Sequence, residues 1–553
     1  MTRAKVFHFG KTQAVRRPKA ARIESKAVDI FRRDDEIVLR EMPRTMGDVI
    51  KHLPILDEGF STNIADSAPA PLPACGRHEV TRQQSPSMGR RPTYTARMKY
   101  KTISLFSGAM GLDIGLHRTD RFELLACVEK VPAFCETIRH NVEMGRLDGR
   151  PLVFEGDIAN IDPLDVLRAV GLQPGELDVL VGGPPCQSFS TAGRRGTTQD
   201  PRGTLLWQFL RFVDVMRPKF FVMENVRGLI SAALRHRPID QREQQSVDPD
   251  ESPGSVVRLF ARDLQALPGA KYHMDVFEVN SVNYGAPQIR ERVLFIGNRY
   301  DAQVDFPLPT HRSPLETQQA ASPIQASLLD EPPTQFIPWR TLGDAIGGLQ
   351  EDSPRVMDFS DRKKAYLAMV PPGSNWRSLP EQVQRESMGK AWLAKGGRSG
   401  WWRRLTLELP SPTLVTLPNH ASTSLCHPTQ TRALSIREYA RIQEFPDEWE
   451  FRGTLSEQYT QVGNAVPTRL GLVAGNVVAA ALDKLRSRHW NPYEHLREGY
   501  RIVYLQSHVR TRHWFKDGKT IVWGDDDDDP RYSAAKTQRT VRAISDTVSS
   551  GAR

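Results

Sequence analysis

"TISLFSGAMGLDIG", Thr102 to Gly115, is the stretch on which the fold turns. "TISLFSG" reads as a buried strand that runs into a glycine turn. Gly108 and Gly111 let the backbone turn tightly and approach a ligand closely. The spacing is not G-x-G-x-x-G, so the dinucleotide fingerprint is incomplete.

Working outward, "ELLACVE", "LVFEGD", "LDVLVGG", "FFVMEN", "DVFEVNS" and "RVLFIGN" are further short apolar runs. Helical stretches lie between several of them. In "TLLWQFLRFVDVMRP" the stripe Leu205, Phe209, Phe212, Val213 and Met216 ends at Pro218. This alternation predicts an α/β protein with a doubly wound, mostly parallel sheet. From Asp301 to Arg432 the alternation stops and Pro, Ser, Thr, Arg and Trp are frequent, as in a smaller irregular domain. The first pattern then returns: "SIREYARIQEFP" carries a capping box, Ser435 with Glu438, and "GNAVPTRLGLVAGNVVAAALDKL" supplies another long helix. The irregular domain is therefore expected to be inserted between 99–300 and 433–486 of one catalytic domain. Residues 1–98 are basic and rich in Pro and Ser, and read as mostly disordered, with a short helix near "MGDVIKHL". Residues 487–553 read as an extension with a small basic hairpin around Asp517-Gly518 and an acidic linker at Asp525–Asp529.

The chain has 553 residues, 39% of them hydrophobic and 25% charged, with a formal net charge of +10. That excess suits a polyanionic partner, nucleic acid above all. The five cysteines, Cys75, Cys127, Cys135, Cys186 and Cys426, show no C-x-x-C spacing, which argues against a zinc site and a disulfide framework. A reducing compartment is expected, and no metal. No apolar run approaches the ~20 residues of a membrane span, so no membrane partner is expected.

Chemistry is concentrated at predicted strand ends. Glu129 ends the second strand, where a carboxylate can take both hydroxyls of a ribose. Asp157 ends the third, placed to accept from an adenine amino group. Two acids beside a glycine turn suit an adenosine ligand without a pyrophosphate. In "GGPPCQSFS", Gly182 to Ser190, Pro184 and Pro185 stiffen the chain directly before Cys186, at the carboxyl end of a strand. Glu224 closes the next strand, so a thiol and a carboxylic acid are expected to face one pocket. A thiolate that attacks an electron-poor ring needs an acid as charge develops. Arg290 and Arg292 in "QIRER" are spaced to hold an oxygen and to pair with an acid.

With these residues in order, the chain resembles the DNA (cytosine-5)-methyltransferases. "LFSGAMGLDIG", "GGPPCQSFS", "ENV", "QIRER", "RALSIREYARIQEFPD" and "QVGNAVP" follow that family's motif order and cover about Lys101 to Asp483. The resemblance implies that Cys186 adds to carbon 6 of cytosine and that Glu224 stabilises ring nitrogen 3. It implies that Arg292 contacts the cytosine carbonyl with Arg290 in support. Phe106, Ser107, Gly108, Gly111, Glu129, Asp157, Ile158, Leu205, Asn464 and Val466 fall at cofactor-contact positions for S-adenosyl-L-methionine. Gln187 and Ser188 match a mobile loop that closes on a flipped base. One departure is Met110, where the family usually has a second glycine beside Gly111.

The inserted domain is expected to read sequence on double-stranded DNA. In "GWWRRL", Arg403 and Arg404 are candidates for phosphate or guanine contacts, while Trp401 and Trp402 suit either stacking on DNA or a small core. The resemblance implies a monomeric bacterial enzyme at the cytoplasmic nucleoid, either paired with a restriction endonuclease or solitary. Three competing readings are an RNA cytosine methyltransferase, a DNA-binding regulator with a decayed site, and a nicotinamide oxidoreductase, for which the glycine spacing is wrong.

Overall fold

The computed structural model describes residues 99–185, 204–235, 248–313, 337–393, 398–487 and 500–505 with their side chains. Residues 5–9, 12–16, 28–33, 36–41 and 541–543 are described as backbone strands. The chain divides into two units, Met1–Arg91 and Pro92–Arg553. In the first, Lys5–Phe9 pairs antiparallel with Thr12–Arg16, and Val28–Arg33 with Glu36–Glu41. Runs such as "EIVLRE" are apolar only over three central residues, too short a signal to stand out against the polar composition of the extension. The helix expected near Met46–Leu53 lies outside the described residues.

In the second unit the strands are β1 (Tyr100–Leu105), β2 (Phe122–Glu129), β3 (Leu152–Glu155), β4 (Val179–Gly182) and β5 (Phe220–Val226). They are followed by β6 (His273–Asn280), β7 (Glu291–Asn298), β8 (Tyr500–Tyr504) and β9 (Val541–Ala543). They form one sheet in the order β9-β8-β6-β7-β5-β4-β1-β2-β3. Strands β3, β2, β1, β4 and β5 are mutually parallel, and β7 runs antiparallel between β5 and β6.

Successive residues point to opposite faces. Leu180, Phe221 and Phe295 therefore enter a core covered by helices α2 (Pro163–Ala169), α3 (Leu205–Met216) and α4 (Ser255–Gln265). Val181, Val222 and Leu294 enter a second core, against α1 (Gly111–His117) and the long C-terminal helix Thr468–Ser487. Burial on both faces explains why the strands read as near-continuous apolar runs.

The chain leaves β1 toward β2 and β3, then returns to place β4 on the other side of β1. That reversal opens a crevice at the carboxyl ends of β1 and β4, where such sheets bind ligands. Among the described residues no single helix is long and apolar enough to cross a membrane.

The C-terminal boundary expected near 486 is corrected. Strand β8 pairs parallel with β6, and Ile502, Val503 and Leu505 are buried. Arg501 Nε lies 2.7 Å from Asp275 Oδ1, and that carboxylate is fully inaccessible to solvent. Removing one partner of such a pair costs about 3–5 kcal/mol, so this strand belongs to the fold. The hairpin expected around Asp517-Gly518 lies outside the described residues.

The inserted region is built from the short helices Leu342–Ile346, Asp361–Ala368 and Glu381–Met388 with connecting loops. Phe359, Tyr366, Leu367, Trp376, Leu379, Met388, Trp402 and Cys426 make its small core. It is tied to the sheet at the start of β7, where Ile289 donates its N–H to the Ser411 carbonyl and Ser411 to that of Pro287.

Candidate active site

The β1–α1 turn is shaped by two positions. Gly108 has φ +53°, a left-handed conformation that suits glycine, and a Cβ on Gly111 would stand 2.1 Å from the Val466 carbonyl oxygen. The turn brings the Gly108 N–H to 2.8 Å from Glu129 Oε2. Glu129 Oε1 accepts from the N–H groups of Lys130 and Val131, at 2.8 and 2.9 Å. Three backbone donors thus fix the carboxylate at the end of β2. Asp157 accepts from the Ala159 N–H at 3.0 Å, and its other oxygen lies 2.7 Å from Lys130 Nζ. The Lys130 ammonium holds the Asp157 carboxyl below its usual range.

These groups line a cavity of about 490 Å³, within the ~300–1,000 Å³ span of small-molecule sites. Phe106, Ser107, Gly108, Gly111, Glu129, Asp157, Ile158, Leu205, Asn464 and Val466 all reach it. The same cavity runs on to Gly183, Pro185 and Glu224. Cys186, Gln187 and Ser188 follow directly and lie outside the described residues.

Glu224 is set by sheet register. It stands opposite Leu294 across β5 and β7, and Arg292, two residues before Leu294, lies on the same face. Arg292 Nε is 2.6 Å from Glu224 Oε1, with both side chains nearly buried. The second carboxylate oxygen faces Gly183, where a Cβ would stand 3.2 Å away. Asn225 Nδ2 donates to the Pro184 carbonyl at 3.0 Å, which ties the double-proline turn to the end of β5. A carboxyl group with one oxygen on a guanidinium and the other toward the cavity can hold or exchange a proton with a bound ring.

Arg290 is buried close to Arg292. It does not join Arg292 on Glu224. Its Nη2 donates to the Gly463 carbonyl at 2.9 Å and its Nη1 to that of Leu414 at 3.2 Å. Burial and the neighbouring Arg292 cation pull it well below the usual guanidinium range. Arg290 therefore joins the insert to the cavity wall next to Asn464.

The sequence profile described as C-5 cytosine-specific DNA methylase matches residues 100–477, a span that starts with β1 and takes in every wall of this cavity.

The chain belongs to that family.

This cytosine-5 DNA methyltransferase is similar to curated type II methyltransferases. M.Sau96I of Staphylococcus aureus is 34% identical over 70% of this chain and 77% of its own length. M.Eco47II of Escherichia coli is 34% identical over 70% and 81%, and M.PspPI of a Psychrobacter strain 33% identical over 69% and 80%.

In this methyltransferase Met110 sits at φ +70°, a conformation that costs a residue with a Cβ roughly 1–2 kcal/mol. Its side chain turns from the cavity into a core with Ile114, Cys127 and Ile138. The candidate DNA-contacting arginines of the insert are engaged within the protein. Arg404 is buried and donates to the Leu367 carbonyl and to Thr431 Oγ1, which corrects the expectation that it is presented to DNA. Arg403 Nε donates to the Ser424 carbonyl, and burial lowers its guanidinium to about 10. Trp402 lies in the small core and donates from its indole to Ser387 Oγ at 2.9 Å, while Trp401 packs edge-on against it.

Among the cavity residues that sequence reasoning missed are Asp113, Lys130 and Gln461. Asp113 and Lys130 stand within or beside motifs already quoted, and adjacency to those motifs was the available signal. Gln461 gave none. Among the described residues no group of three His, Cys, Asp or Glu side chains is gathered as a metal site.

Proposed function

We propose that the enzyme methylates carbon 5 of cytosine within a short specific sequence of double-stranded DNA, with S-adenosyl-L-methionine as donor and Cys186 as nucleophile. The observation that carries this reading is one continuous cavity with Glu129 and Asp157 at one end and Gly183, Pro185 and Glu224 at the other. The adenosine end fits the residues present: two fixed carboxylates suit a ribose and an exocyclic amine, and Phe106, Ile158 and Leu205 give apolar walls.

When bound, the donor supplies an electrophilic methyl group. Cys186 adds as thiolate to carbon 6 of cytosine and forms a carbon–sulfur bond. Glu224 holds a proton at ring nitrogen 3 as negative charge develops there, and Arg292 keeps the carboxyl oriented. Electron density then moves to carbon 5, where the new carbon–carbon bond forms. Loss of the carbon 5 proton and breakage of the carbon–sulfur bond restore the ring and the thiol. The target atoms are inaccessible inside a duplex, so the base is flipped out, with Gln187 and Ser188 in the closing loop.

The type II relatives support a place in a restriction–modification system, with an endonuclease cutting the same sequence, or a solitary modification role in a bacterial cytoplasm. The test is bisulfite sequencing of DNA from a methylation-deficient host expressing the chain or its Cys186→Ala variant. Protection of one short motif, lost in the variant, is expected. Protection by both would remove Cys186 from the mechanism. Protection by neither, from soluble folded protein, would move the substrate from DNA to RNA.

A further inference from the structure

Asp113 is the buried acid at this site that the mechanism does not use. It is only 6% exposed, yet it lines the donor cavity together with Ser104, Ser107 and Gly108. Behind it, with His117 and Asp148, it also lines a small void of about 20 Å³. Its Oδ1 is inaccessible to solvent and has no hydrogen-bond partner. The carboxyl group accepts from the Ser104 hydroxyl and from its own backbone N–H, and among the described residues no basic side chain pairs with it. It does not cap its helix, because the cap residue of α1 is Met110, without any side-chain cap bond. An unpaired buried carboxylate is costly unless something compensates it.

Sheet order places this acid on the path between the two ends of the cavity. Glu129 ends β2 and Glu224 lies near the end of β5, with β1 and β4 between them. A donor with its ribose on Glu129 and its methyl group directed toward a base at Glu224 must cross the end of β1. The β1–α1 turn and Asp113 lie there. Methyl transfer turns a sulfonium cation into a neutral thioether, so the charge facing this acid disappears in the reaction.

We propose that Asp113 is a positioning residue that favours the cationic methyl donor over the neutral product. The inference rests on the S-adenosylmethionine reading above. Burial raises the Asp113 carboxyl to about 6, so the acid is charged above that pH and neutral below it. The preference for the cation is present above pH 6 and lost as pH falls through it. The titratable groups around Asp113 are Cys127 and Glu129 from β2, His117 from its own helix and Asp148 from the loop after Glu143.

The experiment is calorimetric titration of the full chain with S-adenosylmethionine and S-adenosylhomocysteine separately. Asp113→Asn is expected to weaken the methyl donor roughly tenfold, the scale of a charge pair several Å apart in a partly screened interior, and the product less than about twofold. Equal loss for both ligands, or loss for neither, overturns the proposal. If the Asn variant does not fold, the wild-type chain decides. Its affinity ratio of donor to product should fall between pH 7.5 and 5, and His117→Gln should retain that fall. A flat ratio overturns the proposal while leaving the cofactor reading intact. A wild-type chain that binds neither ligand removes that reading and this inference with it.

Discussion

The donor end of the cavity and the inserted region 301–432 hold their polar groups in different ways. At the donor end, strand termini deliver acids and the backbone fixes them, as three N–H groups do for Glu129. In the insert, long side chains hold the backbone instead. Arg404 satisfies a carbonyl and a hydroxyl inside, Arg290 reaches across to Leu414 and Gly463, and Trp402 fills the core. A site fixed by the sheet keeps its geometry when one residue changes. A region fixed by a few side chains collapses with any one of them.

The largest effect separates chemistry from donor binding. Glu224→Gln keeps the size of the side chain and removes the acid. Single-turnover methylation should slow about 10²–10⁴-fold, with S-adenosylhomocysteine affinity unchanged by calorimetry. A parallel loss of affinity would mean that the two ends of the cavity are not independent. Next, Trp402→Ala should destabilise the insert by about 3–5 kcal/mol. Limited proteolysis should then cut within 301–432, and DNA binding should fall, while donor binding persists. Retention of DNA binding would place Trp402 outside the scaffold that presents the reading surface. Met110→Gly relieves the left-handed backbone and empties part of a core, two opposed terms with a net loss of about 2 kcal/mol in urea unfolding. Donor affinity should stay within about twofold, since this side chain does not reach the cavity. The smallest effect is that of Lys130→Ala. This ion pair with Asp157 is largely exposed, so donor affinity should change less than about threefold. A larger loss would make Lys130 a direct contact.

Much of the sheet was legible because strands buried on both faces write apolar runs, as β1, β2 and β4 to β7 do, while the partly exposed edge strand β3 still shows an apolar run of its own. The acids at their ends were legible for the same reason, since a strand end is a defined place. Strand β8 was not. "RIVYLQ" follows a polar stretch, and its partner β6 is more than two hundred residues away in sequence, so local pattern suggested a hairpin instead. Truncation before Tyr500 would leave Asp275 buried without Arg501. In "GWWRRL" the residue types fit both a core and a DNA surface, and only packing separates the two. Asp113 was hidden in plain sequence because an acid in a helix's first turn ordinarily faces solvent, whereas this one is buried beneath the donor turn.

The most direct test of the account is a covalent trap. A duplex carrying 5-fluorocytosine at the protected position cannot lose fluorine in the final elimination, so the carbon–sulfur bond persists. With S-adenosylmethionine present, the wild-type chain should give a protein–DNA complex that survives denaturing electrophoresis, and Cys186→Ala should give none. A denaturation-resistant complex with Cys186→Ala, or none with an active wild-type chain, would contradict the assignment of this thiol to the cavity beside Glu224.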